Sequence, residues 1–279
     1  TDRVSTRVGF IGLGSQGAPM ARRIVESGFP LTIWARRAET TSAFADTPAT
    51  VAATPAELGA ASDIVGICVV GDADVEDVVL RPDGVLAGMS AGGIVAIHAT
   101  SHPGTTRRVA ERAAERGVSV VDAPVSGGGG AAEARILLVM VGGDDDDVAR
   151  CRPVFETFAE PVIHLGPLGS GQTAKLVNNL VFTAQIAVAL ETFSFADELG
   201  VDRAALAQVL AHGSGGSRAA DILAASGFDL SGLRQAAPLL HKDLDLVLDV
   251  ARGTVTTEPE ALTGLARRTI AGLEGPDPD

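Results

Sequence analysis

Two lysines are the residues of this chain whose type and position stand out. Among 22 lysines and arginines in 279 residues, only Lys175 and Lys242 are lysines. A lysine can give up its proton when burial lowers its pKa, whereas an arginine stays charged, so a retained lysine suggests a site where arginine cannot replace it. Asn178 and Asn179 follow Lys175 at spacings of three and four, which puts them beside it on one helix face. The alternatives are chance retention and a lysine that extends from an apolar helix into solvent.

A glycine-rich segment near the N-terminus has the spacing of a dinucleotide-binding turn. The pattern G-x-G-x-x-G falls where a predicted strand meets a predicted helix, in the residues Gly12, Leu13, Gly14, Ser15, Gln16 and Gly17. The first glycine permits a tight turn, the second lets a pyrophosphate approach the backbone, and the third permits close helix packing. Because the required context is present on both sides, we expect this segment to bind a nicotinamide dinucleotide.

Two arginines after the second predicted strand bear on which dinucleotide binds. NAD enzymes usually have Asp or Glu about 20 residues after the glycines, where it accepts from the ribose 2′-hydroxyl. Here Arg36 and Arg37 occupy that region, and no carboxylate follows the strand before Glu39. Two guanidinium groups can bind a 2′-phosphate, so the sequence predicts NADP. The alternative is a solvated arginine pair, although positive charge near a helix N-terminus is mildly unfavourable.

Composition and charge disfavour several classes of function. The chain is 46% hydrophobic and 20% charged, with a net charge of −13, which is typical of a globular protein and unfavourable for nucleic-acid or membrane-surface binding. Its two cysteines lack metal or disulfide spacing and its N-terminal residues lack a signal-peptide pattern, so we expect a cytoplasmic protein. We expect no metal, because the aspartates 144–147 fit a helix start. The apolar stretch 176–193 is interrupted by polar residues and is expected to be a buried helix rather than a membrane span.

Two kinds of periodicity divide the chain near residue 166. Before that point, apolar runs predict strands at 8–11, 31–34, 64–69, 94–97, 118–121, 137–141 and 162–165. Helices are predicted between them at 17–27, 38–45, 72–79, 104–116 and 145–158. This alternation is typical of an α/β fold with a mostly parallel sheet.

Only helical patterns follow residue 166. They predict helices at 171–199, 202–212, 217–226, 233–252 and 258–273, and residues 275–279 are expected to fray. We therefore expect residues 1–166 to form a Rossmann-type domain with a doubly wound sheet, and residues 167–279 to form an all-α domain.

Three further segments occur in an order known from one family. They are D-A-P-V-S-G-G at 122–128, G-S-G-Q-T-A-K-L-V-N-N at 169–179 and K-D-L at 242–244. Together with the glycine-rich turn, they resemble the β-hydroxyacid dehydrogenase family, which includes 3-hydroxyisobutyrate dehydrogenases and tartronate semialdehyde reductases. The likeness extends over residues 7–252.

The resemblance implies a substrate site. Lys175 is expected to be the catalytic acid/base, and Asn179 is expected to hold the substrate oxygen and the lysine in register. Ser126, Gly127 and Gly128 are expected to bind the substrate carboxylate, for which a hydroxyl and two unobstructed glycine amides form a suitable nest. A glycine-rich turn without a ligand is the alternative for this segment.

The same resemblance extends the cofactor site beyond the glycine-rich turn. Val69 and Val70 at the end of a predicted strand, Thr100 near the nicotinamide, and Lys242 of K-D-L are expected to contact the cofactor. For Lys242, an ordinary charge on an exposed helix is the alternative. Ser217 matches a glycine-serine stretch that lies near the substrate in the family.

The sequence departs from the family pattern in two places. Members usually continue S-G-G with x-x-G-A-x-x-G-T-L, but here Ala131 replaces the first of these glycines and Arg135-Ile136 replaces G-T. Arg135 is either a contact for a second acidic group of the substrate or a surface residue. The family's D-x-S-T-x-x-P falls at residues 97–103, where Ile97-His98-Ala99-Thr100 stands for D-x-S-T. His98 in this segment either titrates beside the cofactor or has a structural role.

The sequence therefore predicts an oxidoreductase that transfers a hydride between NADP(H) and a small β-hydroxy acid or aldehyde acid. The substrate, a small carboxylate, is expected in the cleft between the two domains. The family implies a homodimer or homotetramer formed through the helical domain. Two alternatives remain open. One is C=N reduction, although imine reductases generally lack the lysine, and the other is a dinucleotide-binding protein without catalysis.

Overall fold

The computed structural model describes residues 6–252 and 254–275. The residues considered for a signal peptide at 1–5, and residues 276–279 of the segment expected to fray, lie outside the described residues. The chain divides into two compact units, the first ending at Lys175 and the second beginning at Leu176. This division falls inside one long helix, and the boundary at residue 166 stays a prediction.

A parallel six-stranded sheet forms the centre of the first unit, in the order β3-β2-β1-β4-β5-β6. Its strands are β1 (Val8–Ile11), β2 (Leu31–Trp34), β3 (Thr50–Val51), β4 (Ile64–Ile67), β5 (Ile94–Ile97) and β6 (Ser119–Asp122). All residues of β1, β4 and β5 are buried, as expected for strands covered on both faces. In β1, Phe10 packs in the core on one face and Ile11 in the core on the other. The predicted doubly wound α/β fold is confirmed.

The helices of the first unit cover this sheet. They are α1 (Gly17–Glu26), α2 (Pro55–Ala60), α3 (Asp72–Leu80), α4 (Val85–Gly88), α5 (Pro103–Ala114), α6 (Gly128–Glu133) and α7 (Asp145–Phe155). The helix predicted at 38–45 is a 3₁₀ helix, Ala38–Phe44. The sequence analysis missed α2, α4 and α6, because helices of four to six residues are too short to show a periodicity. At α7, three aspartates lie in the first turn, although Asp144 makes no side-chain cap hydrogen bond.

The strands predicted at 137–141 and 162–165 belong to a second, three-stranded sheet rather than to the parallel one. It contains β7 (Val125–Ser126), β8 (Leu137–Val141) and β9 (Ala159–His164), with β7 antiparallel and β9 parallel to β8. An isolated bridge between Asp122 and Gly142 connects it to β6. The pairs Asp122–Gly142, Val125–Val139 and Ser126–Leu138 share one antiparallel register, so the chain continues from β6 into β7 in the same direction along β8. The two-residue strands β3 and β7 are too short for sequence patterns to indicate.

Five helices form the described part of the second unit. They are α8 (Ser170–Glu198), α9 (Arg203–His212), α10 (Arg218–Ala225), α11 (Ser231–Arg252) and α12 (Glu260–Glu274). Their common core includes Ile186, Phe193 and Leu223. α8 is long and apolar enough to cross a membrane by length and composition, and 44% of its most apolar stretch is buried within the fold. The helix that was predicted to be buried is therefore only partly buried.

Candidate active site

The glycine-rich turn between β1 and α1 has the geometry of a dinucleotide cradle. Gly12 has φ +97°, and a Cβ at this position would lie 2.1 Å from the carbonyl oxygen of Cys68. A Cβ at Gly17 would lie 1.9 Å from the Gly12 carbonyl oxygen, so both glycines are required by the protein's own packing. A Cβ at Gly14 would meet no protein atom within 4 Å. The middle glycine is thus open toward a ligand, which fits an approaching pyrophosphate.

Strand order places the other predicted cofactor residues beside this turn. β1 lies between β2 and β4, at the point where the strand order reverses, and ligands of such sheets bind at the carboxyl ends of the strands there. Val69 and Val70 follow β4, which ends at Ile67 rather than at residue 69. Thr100 follows the neighbouring strand β5. These three residues lie at the carboxyl edge of the sheet, on the same edge as the glycine-rich turn.

The two arginines follow β2 and are both exposed. Arg36 Nη1 forms an ion pair with Asp74 Oδ1 at 3.0 Å, and Asp74 lies in the first turn of α3. Arg37 directly precedes the 3₁₀ helix, and its carbonyl oxygen accepts a hydrogen bond from Thr40. Asp74 was not predicted, because Arg36 follows β2 and Asp74 follows β4, and no local pattern indicates that residues after these two strands pair.

The predicted carboxylate-binding residues form a turn that contacts the glycine-rich segment. Gly127 and Gly128 have φ angles of +131° and +75°, which favour glycine at both positions. A Cβ at Gly129 would lie 2.3 Å from the carbonyl oxygen of Ser15. The two predicted binding loops therefore touch through Gly129, which the sequence analysis did not single out. Its only signal in the sequence is the run of four glycines at 127–130.

A buried aspartate and a buried glutamine fix the first turn of α8. Asp122, at the end of β6, accepts hydrogen bonds from the backbone amides of Gly169 and Gln172, both at 2.7 Å. Burial raises the pKa of Asp122, and these amide hydrogen bonds oppose that shift. The Gln172 side chain donates to the carbonyl oxygen of Ala99 at 2.7 Å and accepts from the amide of Ser101 at 3.1 Å. Neither residue was assigned a role from the sequence.

Lys175 and Asn179 lie one turn apart on α8, as their spacing predicts. Lys175 is buried, with 8% of its surface exposed. The Asn179 side-chain amide donates to Asp243 Oδ2, and Lys242 Nζ lies 3.0 Å from Asp243 Oδ1. Buried Asp243 thus connects the predicted substrate-orienting asparagine to the predicted cofactor lysine. Asp243 belongs to the K-D-L motif, but no local pattern indicates its partners.

The structure places His98 and Arg135, from the segments that depart from the family pattern, and Ser217, from the glycine-serine stretch. His98 is buried, and its Nδ1 lies 2.8 Å from the carbonyl oxygen of Ala123. Burial lowers the pKa of His98 to about 4, so it does not titrate near neutral pH. Arg135 is exposed after the C-terminal end of α6, with φ +61°. Ser217 caps α10 by accepting a hydrogen bond from the amide of Ala220.

In the described residues, no group of three or more His, Cys, Asp or Glu side chains is placed to hold a metal ion.

Comparisons with known proteins cover both units. The sequence profile of the NAD binding domain of 6-phosphogluconate dehydrogenase matches residues 7–166. The profile described as the NAD-binding domain of NADP-dependent 3-hydroxyisobutyrate dehydrogenase matches residues 169–271. An uncharacterized oxidoreductase of Mycobacterium tuberculosis is 36% identical over 98% of this chain and 95% of its own length. The 3-hydroxyisobutyrate dehydrogenase of Pseudomonas aeruginosa is 32% identical over 95% of this chain and 91% of its own length.

A solved structure supports the same assignment. The structure of Mycobacterium tuberculosis 3-hydroxyisobutyrate dehydrogenase with L-serine superimposes with a TM-score of 0.83, at 29% identity, over 96% of this chain and 93% of that chain. The fold, the glycine-rich turn and these similarities define an oxidoreductase with an NAD(P)-binding domain. The chain belongs to the β-hydroxyacid dehydrogenase family.

Proposed function

We propose that this protein is an NADP-dependent dehydrogenase of small β-hydroxy acids, in which Lys175 Nζ transfers the proton. The observation that carries the proposal is the burial of Lys175 one helical turn before Asn179, in a chain that contains only one other lysine. When bound, the nicotinamide supplies or accepts the hydride. Lys175 gives its proton to the carbonyl oxygen during reduction and takes it back from the hydroxyl during oxidation.

The substrate class follows from the loop at 126–128 and from the relatives. The Ser126 hydroxyl and the amides of Gly127 and Gly128 would bind a carboxylate, because two successive glycines with positive φ leave their N–H groups unobstructed. A relative is named for 3-hydroxyisobutyrate, and a similar structure contains L-serine. Both compounds have a hydroxyl on the carbon β to a carboxylate. A substrate of this kind fits one carboxylate-binding loop and one proton-transferring lysine.

The remaining predicted residues bind and orient. Gly12, Gly14 and Gly17 would hold the pyrophosphate, and the exposed Arg36 and Arg37 would bind the 2′-phosphate. Asn179 would hold the substrate oxygen beside Lys175, while Asp243 fixes the orientation of the Asn179 amide. Lys242 is itself oriented by its ion pair with Asp243. These groups define where the hydroxyl-bearing carbon lies, which is the main requirement for hydride transfer.

The reaction is tested with an NADP⁺-coupled panel of β-hydroxy acids and, in the reverse direction, with aldehyde acids and cyclic imines. We expect turnover of β-hydroxy acids, and we expect Lys175→Ala to lower kcat by about 10²- to 10⁴-fold while NADPH still binds. Thr173→Ala is the control, because this exposed residue lies on the same helix and, among the described residues, its side chain hydrogen-bonds only to the Gly169 carbonyl oxygen. Retention of most activity by Lys175→Ala, or turnover of imines alone, would overturn the proposal.

Cofactor preference is tested by the ratio of kcat/KM with NADPH to that with NADH. The wild type is expected to prefer NADPH, and Arg36→Ala is expected to lower the ratio by about tenfold, because a charge-assisted hydrogen bond to the phosphate is lost. Asp74→Asn is expected to raise the ratio by about two- to fivefold, because the ion pair that competes for Arg36 is removed. A wild-type preference for NADH would contradict the assignment of NADP.

A further inference from the structure

Gln172 connects two segments whose relative position matters in the proposed reaction. They are the start of α8 and residues 99–101, called the Thr100 segment below. Gln172 is fully buried and lies three residues before Lys175 on α8. Its side-chain amide donates to the carbonyl oxygen of Ala99 and accepts from the amide of Ser101, at 2.7 and 3.1 Å. These two backbone groups flank Thr100, the residue expected to approach the nicotinamide. One side chain therefore holds the backbone on both sides of Thr100.

The backbone of Gln172 is itself fixed. Its amide donates to one carboxylate oxygen of Asp122, and the amide of Gly169 donates to the other, both at 2.7 Å. Asp122 has no exposed surface and terminates β6, the neighbour of β5 in the sheet. Because both the backbone and the side chain of Gln172 are hydrogen-bonded, the start of α8 has little freedom to shift or rotate against the carboxyl ends of β5 and β6.

We propose that Gln172 is a positioning residue, which sets the position of Lys175 relative to the Thr100 segment and hence to the nicotinamide. The proposal rests on the proposed function of Lys175. Its physical basis is that hydride and proton transfer require the reacting atoms to be held within a fraction of an ångström, and a displacement of about 1 Å can lower a rate about 10²-fold. Gln172 itself touches neither hydride nor proton.

Two substitutions at Gln172 separate its two hydrogen bonds. Gln172→Glu has the same shape and keeps an acceptor for the Ser101 amide, but as a carboxylate it loses the donor to Ala99. Gln172→Leu loses both contacts. Thr173→Ala is the matched control, because it changes the next residue of the same helical turn without a bond to the Thr100 segment.

Four measurements are made on the full-length protein: thermal stability, the Kd for NADPH, kcat, and the kinetic isotope effect with 4-deuterated NADPH. We expect Gln172→Leu to lower kcat at least tenfold and to increase the isotope effect, with Gln172→Glu intermediate and Kd within about threefold of the wild type. Thr173→Ala should match the wild type. An isotope effect in Gln172→Leu equal to that of the wild type overturns the proposal, whatever the loss of stability.

A spectroscopic readout is independent of turnover. Reductive ¹³C-methylation of the two lysines gives two lysine NMR signals, which Lys242→Arg assigns. The Lys175 signal is expected to shift in Gln172→Leu and not in Thr173→Ala, and equal positions in all three proteins would overturn the proposal. A wild type without turnover, or an active Lys175→Ala variant, would instead reject the proposed function, so the two failures are distinguishable.

Discussion

His98 directly follows β5, and its surroundings explain how a histidine is accommodated there. Its ring packs against the rings of Phe10, Phe155 and Phe158. Because the carbonyl oxygen of Ala123 can only accept a hydrogen bond, Nδ1 must carry the proton of the neutral ring. An apolar, aromatic environment penalises the charged form, which lowers the pKa of His98 to about 4.

This buried histidine makes stability depend on pH. The pKa of His98 falls from 6.5 in the unfolded chain to about 4 in the folded protein, so the unfolded state binds the proton first as the pH is lowered. The contribution of neutral His98 is fully present above pH 6.5 and is lost progressively toward pH 4, with about 2 kcal/mol lost by pH 5. The free energy of unfolding, measured in urea at pH 7.5 and pH 5, is expected to show this loss.

His98→Asn supplies the control for this pH dependence. Its side-chain amide can still donate toward the Ala123 carbonyl oxygen, but it does not titrate. The variant is expected to be less stable at pH 7.5, because the smaller side chain leaves space among the aromatic rings. Between pH 7.5 and pH 5, its free energy of unfolding should nevertheless fall by about 2 kcal/mol less than that of the wild type. Equal pH dependence in the two proteins would contradict the assignment.

At the scale of an element, the glycines in the turn between β1 and α1 have different roles, one structural and one in ligand binding. Gly12 is required by its positive φ and by the close approach of Cys68, whereas Gly14 has neither constraint. The sequence pattern predicts a tight turn at the first glycine and the approach of a pyrophosphate at the second. The structure shows that the first one is fixed by the fold and that the second has open space beside it.

Two alanine substitutions are expected to separate these roles. Gly12→Ala should lower the free energy of unfolding by about 2 kcal/mol or more, because the methyl group would overlap the Cys68 carbonyl and the φ angle is unfavourable. Gly14→Ala should keep the stability of the wild type but weaken NADPH binding at least about tenfold, because the methyl group would lie where the pyrophosphate approaches. Thermal unfolding and fluorescence titration with NADPH measure both effects. Unchanged NADPH affinity in Gly14→Ala would contradict the placement of the cofactor.

At the scale of the whole molecule, one face of α8 is a candidate surface for self-association. Val177, Val188 and Phe195 on α8 are 49–61% exposed, and their spacings of 11 and 7 place them on one side of the helix. Leu199, which follows the last residue of α8, is 64% exposed. Exposed apolar side chains that recur on one helix face are typical of a surface that another protein covers. We propose that a second copy of this chain covers it. The cytoplasmic location and the lack of nucleic-acid and membrane partners stay predictions from the sequence.

Self-association is tested by sedimentation equilibrium over a concentration series. The wild type is expected to have the mass of a dimer or tetramer, and Phe195→Asp should lower the mass to that of a monomer, because the charge would have to be buried in the interface. Val51→Asp is the control, since Val51 is equally exposed but lies on the edge strand β3 of the first unit. A monomeric wild type, or an unchanged mass in Phe195→Asp, would contradict this prediction.

The sequence alone determined the features that depend on residues close together in the chain. The doubly wound sheet follows from apolar runs alternating with helical patterns, and the turn at 12–17 and the shared helix face of Lys175 and Asn179 follow from spacing. Only the tertiary structure showed that Gln172 holds the Thr100 segment and that Asp243 connects Asn179 to Lys242. The Gln172–Ala99 and Asn179–Asp243 hydrogen bonds join residues 73 and 64 positions apart, and no local pattern specifies which buried polar groups will meet across such separations. When distant segments pack together, their buried polar groups need hydrogen-bond partners. Those partners determine how the predicted active-site residues are held.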